Sequence, residues 1–428
     1  MNETRIVLFD TLETYENLLP LSYTRPVAEF RVGILTIHEK WAAMMPGSYS
    51  FLTNDFLQEK FPPVDPGAEE AIFIAGNIVP DSVFAAQVSA LNPGEAITDE
   101  DGLAAFRGTM ADFRRQQAEP QGKEREGSLG RLKYVFDIFR LNGAAIRDDY
   151  ARIVAGRRSC APSDTVTVIG PAVTADGLPS IFIEEGAVVE GCTLNVKNGP
   201  IYIGKNAEVM EGSCLRGPLS VGPNAKVRMG SKIYGDSTFG PYCKVGGEID
   251  NAVMFGYSNK SHDGYLGNAV IGEWCNIGAG TNASNLKNDY SKIRIWNYAQ
   301  KRFMRTDLQF CGLIMGDHSK AGINCMFNTA TVVGVGVNLH GSGFPRQFIP
   351  SFSAGSPEGG FSDVSIDKFM EVAGKVMGRR GMVLTDVDRR MFEEIYKSAA
   401  RIKKCRRATS TRYTGSSTYR SGCSPSRL

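Results

Sequence analysis

The chain has no apolar run approaching 18 residues, the length a membrane-spanning helix needs, and Ile6 to Phe9 is the one apolar stretch in Met1 to Asp10. No charged segment leads into a long hydrophobic one, so no secretory signal is read. A cytoplasmic protein without a membrane partner is expected. Also missing is any Cys-x-x-Cys pair: the nine cysteines stand far apart, at 160, 192, 214, 243, 275, 311, 325, 405 and 423. That spacing argues against a disulfide framework or a zinc site and leaves the thiols as small core or corner residues. Acidic residues are absent from Arg401 onward, so residues 1–400 carry a net charge of −6 beneath a formal total of +2. The Ser-, Thr-, Arg- and Tyr-rich stretch 403–428 has no apolar periodicity, which predicts a disordered, solvated tail. Nucleic acid is not expected as a partner.

What the chain does have is a six-residue beat. Ten hexads run from Pro200 to Asn259, and nine place an apolar or aromatic residue fourth: Ile203, Val209, Leu215, Val221, Val227, Ile233, Phe239, Val245 and Tyr257, with Asn251 the exception. A period of six with Gly, Asn and Ser at the corners is too short for a helical repeat and too long for strand alternation. It predicts a β-solenoid of triangular coils with the aliphatics stacked inward. The beat resumes at Met315, Ala321, Phe327, Val333 and Leu339, after an excursion from Thr281 to Phe310 of the kind that forms an arm or binding loop.

One break stands out. After Tyr257 the next in-phase residues are Tyr265, Ile271 and Ile277, so two extra residues are read within Ser258 to Gly264. Stacked coils cannot absorb an insertion, and the segment is expected to bulge and carry His262 outward on the wall. An imidazole titrates near neutrality and suits removal of a proton from an amine, which makes His262 the candidate general base. His38, His318 and His340 are read as structural or peripheral.

Ahead of the solenoid, strand and helix alternate: Arg5 to Phe9, Thr36 to Met45, Ala71 to Ala75, Asp81 to Leu91, then Leu132 to Val154 as a helical exit. The expected fold is thus an α/β domain (1–155), a linker and first coil (156–180), a parallel β-helix (181–350) with an arm at 281–310, and two helices within 364–402. Those helices are expected to cap the open end of the solenoid. The tail follows.

The segment His262-Asp-Gly-Tyr-Leu-Gly-Asn-Ala-Val-Ile-Gly-Glu-Trp-Cys-Asn-Ile-Gly-Ala-Gly-Thr281 resembles the His-x-x-Tyr-Leu-Gly, Ile-Gly and Asn-Ile-Gly-Ala-Gly-Thr series of the left-handed β-helix, hexapeptide-repeat acyltransferases. Nearest among them is the acetyltransferase half of the bifunctional N-acetylglucosamine-1-phosphate uridyltransferase / glucosamine-1-phosphate acetyltransferase family. The likeness covers about 181–343. It implies a left-handed coil, a homotrimer with sites between subunits, and a sugar phosphate and an acyl-CoA as small-molecule partners. By position it implies His262 as general base and Tyr265 and Asn276 on the sugar phosphate. Ala279, Asn285, Leu286, Asp317 and Val335 would lie along acetyl-CoA, with Asn285 also orienting the base. Either Lys287 or Lys292 would stand beside the oxyanion. Leu286 replaces the aromatic residue usual in the family.

In the first domain, Leu19-Pro-Leu-Ser-Tyr-Thr-Arg-Pro26 followed by Arg31-Val-Gly33 resembles the sugar nucleotidyltransferases, which implies a Rossmann-like fold, UTP and Mg²⁺, and Arg25 and Arg31 on phosphate. The Gly-rich phosphate loop of those enzymes is replaced by Asp10-Thr-Leu-Glu-Thr-Tyr-Glu-Asn17. Val27 stands in place of a lysine. Asn77 occupies the metal-binding aspartate's position, an amide where a hard cation needs carboxylate, and Asp10 and Asp81 are the candidate substitutes. Three readings stay open: N-acetylation of glucosamine 1-phosphate, with or without uridylyl transfer to UDP-N-acetylglucosamine; nucleotidyl transfer to another sugar 1-phosphate, with the solenoid serving assembly; and a regulatory subunit without turnover.

Overall fold

A computed structural model describes residues 4–61, 69–125 and 127–411, with side chains through Lys404. The first 155 residues fold around a six-stranded sheet in the order 48–52, 5–9, 71–75, 102–108, 96–99, 123–124. Its central strands, Arg5–Phe9 and Ala71–Ala75, have the bounds their apolar runs predict and pair in parallel, Ile6 opposite Ile72. Helix Ile37–Met44 starts at a capping box, in which Thr36 accepts from the Glu39 amide and Glu39 accepts from the Thr36 amide. Asp81 caps helix Ser82–Ser89. The exit helix is shorter than expected, Asp137–Val154, because Asp137 accepts from the amides of Lys133 and Tyr134 and holds them in a turn.

Beyond it the six-residue beat becomes three parallel walls. Ile203, Val221 and Phe239 stack on the first, Val209, Val227 and Val245 on the second, Leu215 and Ile233 on the third, all buried. The stack begins at Thr167–Ile169, within the segment expected to hold the linker and first coil, and runs to Ser353–Ser356. No helix among the described residues is long and apolar enough to cross a membrane.

The register break differs from the expectation. After Val245 the inward residues are Ile249, Met254, Lys260, Leu266 and Ile271. The corner Gly246–Gly247 is therefore two residues short, while Ser261–Gly264 has the ordinary length. A two-residue mismatch between neighbouring coils is real, but it arises from a deletion one coil earlier. Gly247 sits at φ +77°, and a Cβ there would lie 2.8 Å from the carbonyl oxygens of His262 and Gly264. A side chain has no room in that corner. Tyr257 and Asn251, read as in phase, are corner residues at φ +54° and +45°.

A second column forms at another corner. Tyr242, Tyr257, Trp274 and His318 all have positive φ, and their rings stack at 5.3, 4.3 and 6.0 Å between centroids. Helices Ile366–Gly378 and Asp386–Thr411 lie against this column, with Phe369 and Phe392 edge-on to His318. They flank the corner rather than capping the end as expected, because aromatic surface lies there. The last helix also passes residue 403, where the tail was expected to begin; residues 412–428 lie outside the described set.

The arm folds into the hairpin Arg294–Asn297 and Arg302–Arg305 and turns back on its own chain. Trp296 stacks on Phe348 at 4.2 Å, Tyr298 meets Tyr23 edge-on, and Asn297 donates to Asn17. It does not extend outward, since its aromatic face is used at the junction between domain and solenoid.

That junction is closed by charge. Arg25 pairs with Asp317 and, at 3.0 Å, with Glu273, while Thr24 donates to Asp317 at 2.9 Å. Arg31 donates to the Phe255 and Ile34 carbonyls and lies 3.5 Å from Glu39. Replacing Arg25 by Met strands a buried carboxylate and should cost about 3–5 kcal/mol. Denaturant unfolding checks this: Arg25→Met should be strongly destabilised and Arg25→Met with Asp317→Leu much less so.

Candidate functional site

His262 stands on the corner between the second and third walls, exposed, directly above the shortened Gly246–Gly247 corner. The coils rise about 4.8 Å each, so the missing residues leave a step beneath the imidazole. Ala279 occupies the equivalent corner of the next coil, its carbonyl accepting from Asn324.

The third wall beside the step carries Glu248, in register with Lys232 of the coil below, and then Asp250 and Tyr265. Tyr265 is in register with Glu248, and its ring hydroxyl accepts from Asn285 at 3.0 Å. Asn285 also donates to Asn268 at 2.8 Å, so it fixes Tyr265 and makes no hydrogen bond to His262 among the described contacts. Gly267 leaves space for the tyrosine hydroxyl. Burial, then Asp250, pushes the Tyr265 phenol up to about 12, which keeps it a neutral donor. Asp250 is itself raised by burial, then by Asp236 and Glu248.

The second wall is basic. Its outward file is Lys226, Lys244, Asn259, Asn276 and Lys320. Arg228 lies at the corner end of the same wall, and Arg380, from the turn between the last two helices, donates to the Tyr242 carbonyl at 3.3 Å and to Asn259 at 3.5 Å. Asn259 passes the contact to Asn276, its amide 3.5 Å from the Asn276 oxygen. Partial burial, then Arg380, Arg228, Lys226 and Arg379, holds Lys244 below the usual lysine range. Within this group only Lys226 has a carboxylate partner among the described residues, Glu208 at 2.5 Å.

Several expected residues lie elsewhere. Lys287 donates to Ser291 and Lys292 pairs with Asp307 at 2.8 Å, so both arm lysines are engaged within the arm. Leu286 bridges to Phe310 across the arm's base. Asp317 and Val335, expected along an acyl-donor groove, are buried, Asp317 because Arg25 and Thr24 occupy its carboxylate. Arg25 and Arg31, expected on phosphate, hold the domain junction instead. His38 pairs with Glu29 and His318 lies in the aromatic column. Cys192, Cys243, Cys275, Cys311 and Cys325 are buried, whereas Cys160 and Cys214 are exposed, and all are free thiols.

Sequence reasoning missed Arg228, Lys244, Arg380 and Lys260. Counting outward from the core would have found the second wall's cations, since Lys226 and Lys244 each precede an inward valine.

In the N-terminal domain the strand ends at Phe9 and Ala75 open on a cavity of about 480 Å³ lined by Thr11, Thr14, Asn77, Asp101, Arg131 and Lys133. Crevices at such strand ends are the usual ligand sites of α/β sheets. The residues do not fit Mg²⁺. Asn77 donates to the Leu132 carbonyl and accepts from Arg131, a cation already bidentate on Asp99. Asp81 caps its helix, and Asp10 accepts from Thr53 and the Val27 amide. No group of three His, Cys, Asp or Glu among the described residues could hold a metal ion.

Residues 6–158 match the model of a family described as sugar nucleotidyl transferase. The chain is 32% identical over 87 residues to the bifunctional protein GlmU of Methanocaldococcus jannaschii, which is 20% of this chain and 21% of that protein. The match thus spans about a fifth of the relative's length. Among solved structures, the UDP-N-acetylglucosamine acyltransferase of Francisella novicida aligns at 14% identity and TM-score 0.33, covering 55% of this chain and 79% of that one. The Arabidopsis UDP-N-acetylglucosamine acyltransferase aligns at 14% and 0.21, covering 52% and 80%.

Burial raises the Asp10 carboxyl to about 6. A carboxyl raised on folding favours the native state at low pH, and that contribution is lost as pH climbs through the folded value. Stability should therefore fall by about 1–3 kcal/mol between pH 4 and pH 7 on this group's account. Asp10→Asn should flatten that slope in chemical denaturation followed across the range.

Proposed function

We propose that the chain is an acetyl-CoA-dependent N-acetyltransferase acting on an amino-sugar 1-phosphate, glucosamine 1-phosphate, at the His262 corner. The observation that carries this reading is the step with opposite charge on its two sides. An amino-sugar 1-phosphate holds an amine and a phosphate on adjacent carbons. A molecule seated on Gly246–Gly247 can turn its phosphate toward Arg228 and Lys244 and its amine toward His262, on the side of Glu248 and Asp250.

The chemistry follows from the residue types. His262 takes a proton from the amine as the nitrogen attacks the thioester carbonyl carbon. The carbon–sulfur bond then breaks, the coenzyme thiolate leaves, and the imidazolium returns the proton to it. An amide and a free thiol result. Tyr265, a neutral phenol held by Asn285, is the hydrogen-bond donor that orients the sugar. The proposal includes a left-handed coil and a homotrimer, as the sequence resemblance implies, together with the cytoplasmic location expected from the sequence.

The family match of residues 6–158 favours a second role, binding of a sugar nucleotide in the strand-end cavity. With Asn77 and Arg131 as they stand, no metal-assisted nucleotidyl transfer is derived for it.

Purified protein given acetyl-CoA and glucosamine 1-phosphate should release thiol, and His262→Ala should lose about 100-fold or more; equal rates end the base assignment. In the same assay, Arg228→Ala with Lys244→Ala should raise KM for glucosamine 1-phosphate by about tenfold or more while sparing glucosamine, which lacks the phosphate.

A further inference from the structure

Lysine is a foreign residue inside the solenoid. The inward file of the second wall reads Val209, Val227, Val245, Lys260, Ile277, Ala321 and Leu339. Lys260 is 1% exposed, as buried as its aliphatic neighbours. A valine there would fill the core without desolvating a charge, which is costly even when partnered. Burial brings the amine down to about 8, opposed by Asp263.

What the amine touches explains its presence. Its Nζ donates to the Gly246 carbonyl at 3.2 Å and to the His262 carbonyl. These oxygens belong to the two corners that the deletion puts out of step. Among the described residues no backbone amide donates to either. Lys260 thus links, from inside, the two corners that stand out of step, and one of its two partners is the backbone of the residue bearing the imidazole.

We propose that Lys260 is the positioning residue of His262, tying the His262 corner to the Gly246 corner so that the imidazole is held over the step. The kinetic half of this inference rests on the reading of His262 as the base; the structural half does not.

Lys260→Met keeps the length and volume and removes the donors. The full chain has four histidines, so ¹³C-edited spectra give four ring signals, with that of His262 assigned by its loss in His262→Ala. In Lys260→Met the His262 signal should shift or broaden while those of His38, His318 and His340 stay. Turnover should drop about tenfold or more at unchanged KM for acetyl-CoA, as displacement of a reacting group predicts. An unmoved His262 signal in a folded Lys260→Met overturns the proposal whether or not the protein transfers acetyl groups. If the wild type has no acetyltransferase activity but the signal moves, the base reading fails and the positioning role stands. Should Lys260→Met collapse all four signals, Lys260→Gln, which keeps an amide N–H₂ donor group, decides: a native spectrum at His262 supports the tie, and a selective shift with full turnover sinks it.

Discussion

Each coil of the solenoid must close on the one beneath it, because most of its backbone amides find their partners in the neighbouring rung, about 4.8 Å away. Under that constraint a change of length in one coil cannot be averaged over its neighbours. It appears as a ledge at a definite height and corner. The Gly246–Gly247 deletion is such a change, and it explains why an exposed imidazole, a buried lysine and two glycines without room for a side chain occur within a few ångströms of backbone. The charged walls meet at the same edge because each coil continues the outward file of the last.

A different kind of constraint holds the N-terminal domain. Its Thr24-Arg25-Pro26 loop, which resembles a phosphate-binding segment in sequence, is inserted into the solenoid wall and neutralised there by Asp317 and Glu273. Cations that look available in a sequence are available only if the fold leaves them without carboxylates. Arg25, Arg31 and Lys292 have carboxylate partners, whereas Arg228, Lys244 and Arg380 have none among the described residues, and none of this is written in the local motifs.

The sequence was most readable where one period governed many residues. Strands Arg5–Phe9 and Ala71–Ala75, the helices beginning about Thr36 and Asp81, and the inward file from Ile203 to Val245 all follow from patterning. Reading failed where the period was interrupted. Two residues missing at Gly246–Gly247 leave the same mismatch as two added later, and because the true inward residue, Lys260, is a lysine among aliphatics, the beat is read through Tyr257 instead. The family resemblance pointed to His262, Tyr265 and Asn285, which do lie about one corner, but it gave Asn285 to the base, where the structure gives it to Tyr265. The destination of the arm was unreadable because it depends on Tyr23 and Phe348, partners far away in the chain.

The closure between Arg25 and Asp317 spans 292 residues, and Phe30 meets Phe255 across the same seam. At a synthesis rate of roughly 5–20 residues per second, the first domain leaves the ribosome a quarter of a minute or more before the coil that will cover it exists. For that interval an apolar, cationic flank of the nascent chain is uncovered. Newly made copies are thus most prone to stick to one another while half synthesised, and a holdase that shelters basic, aromatic surfaces would act on them at that moment.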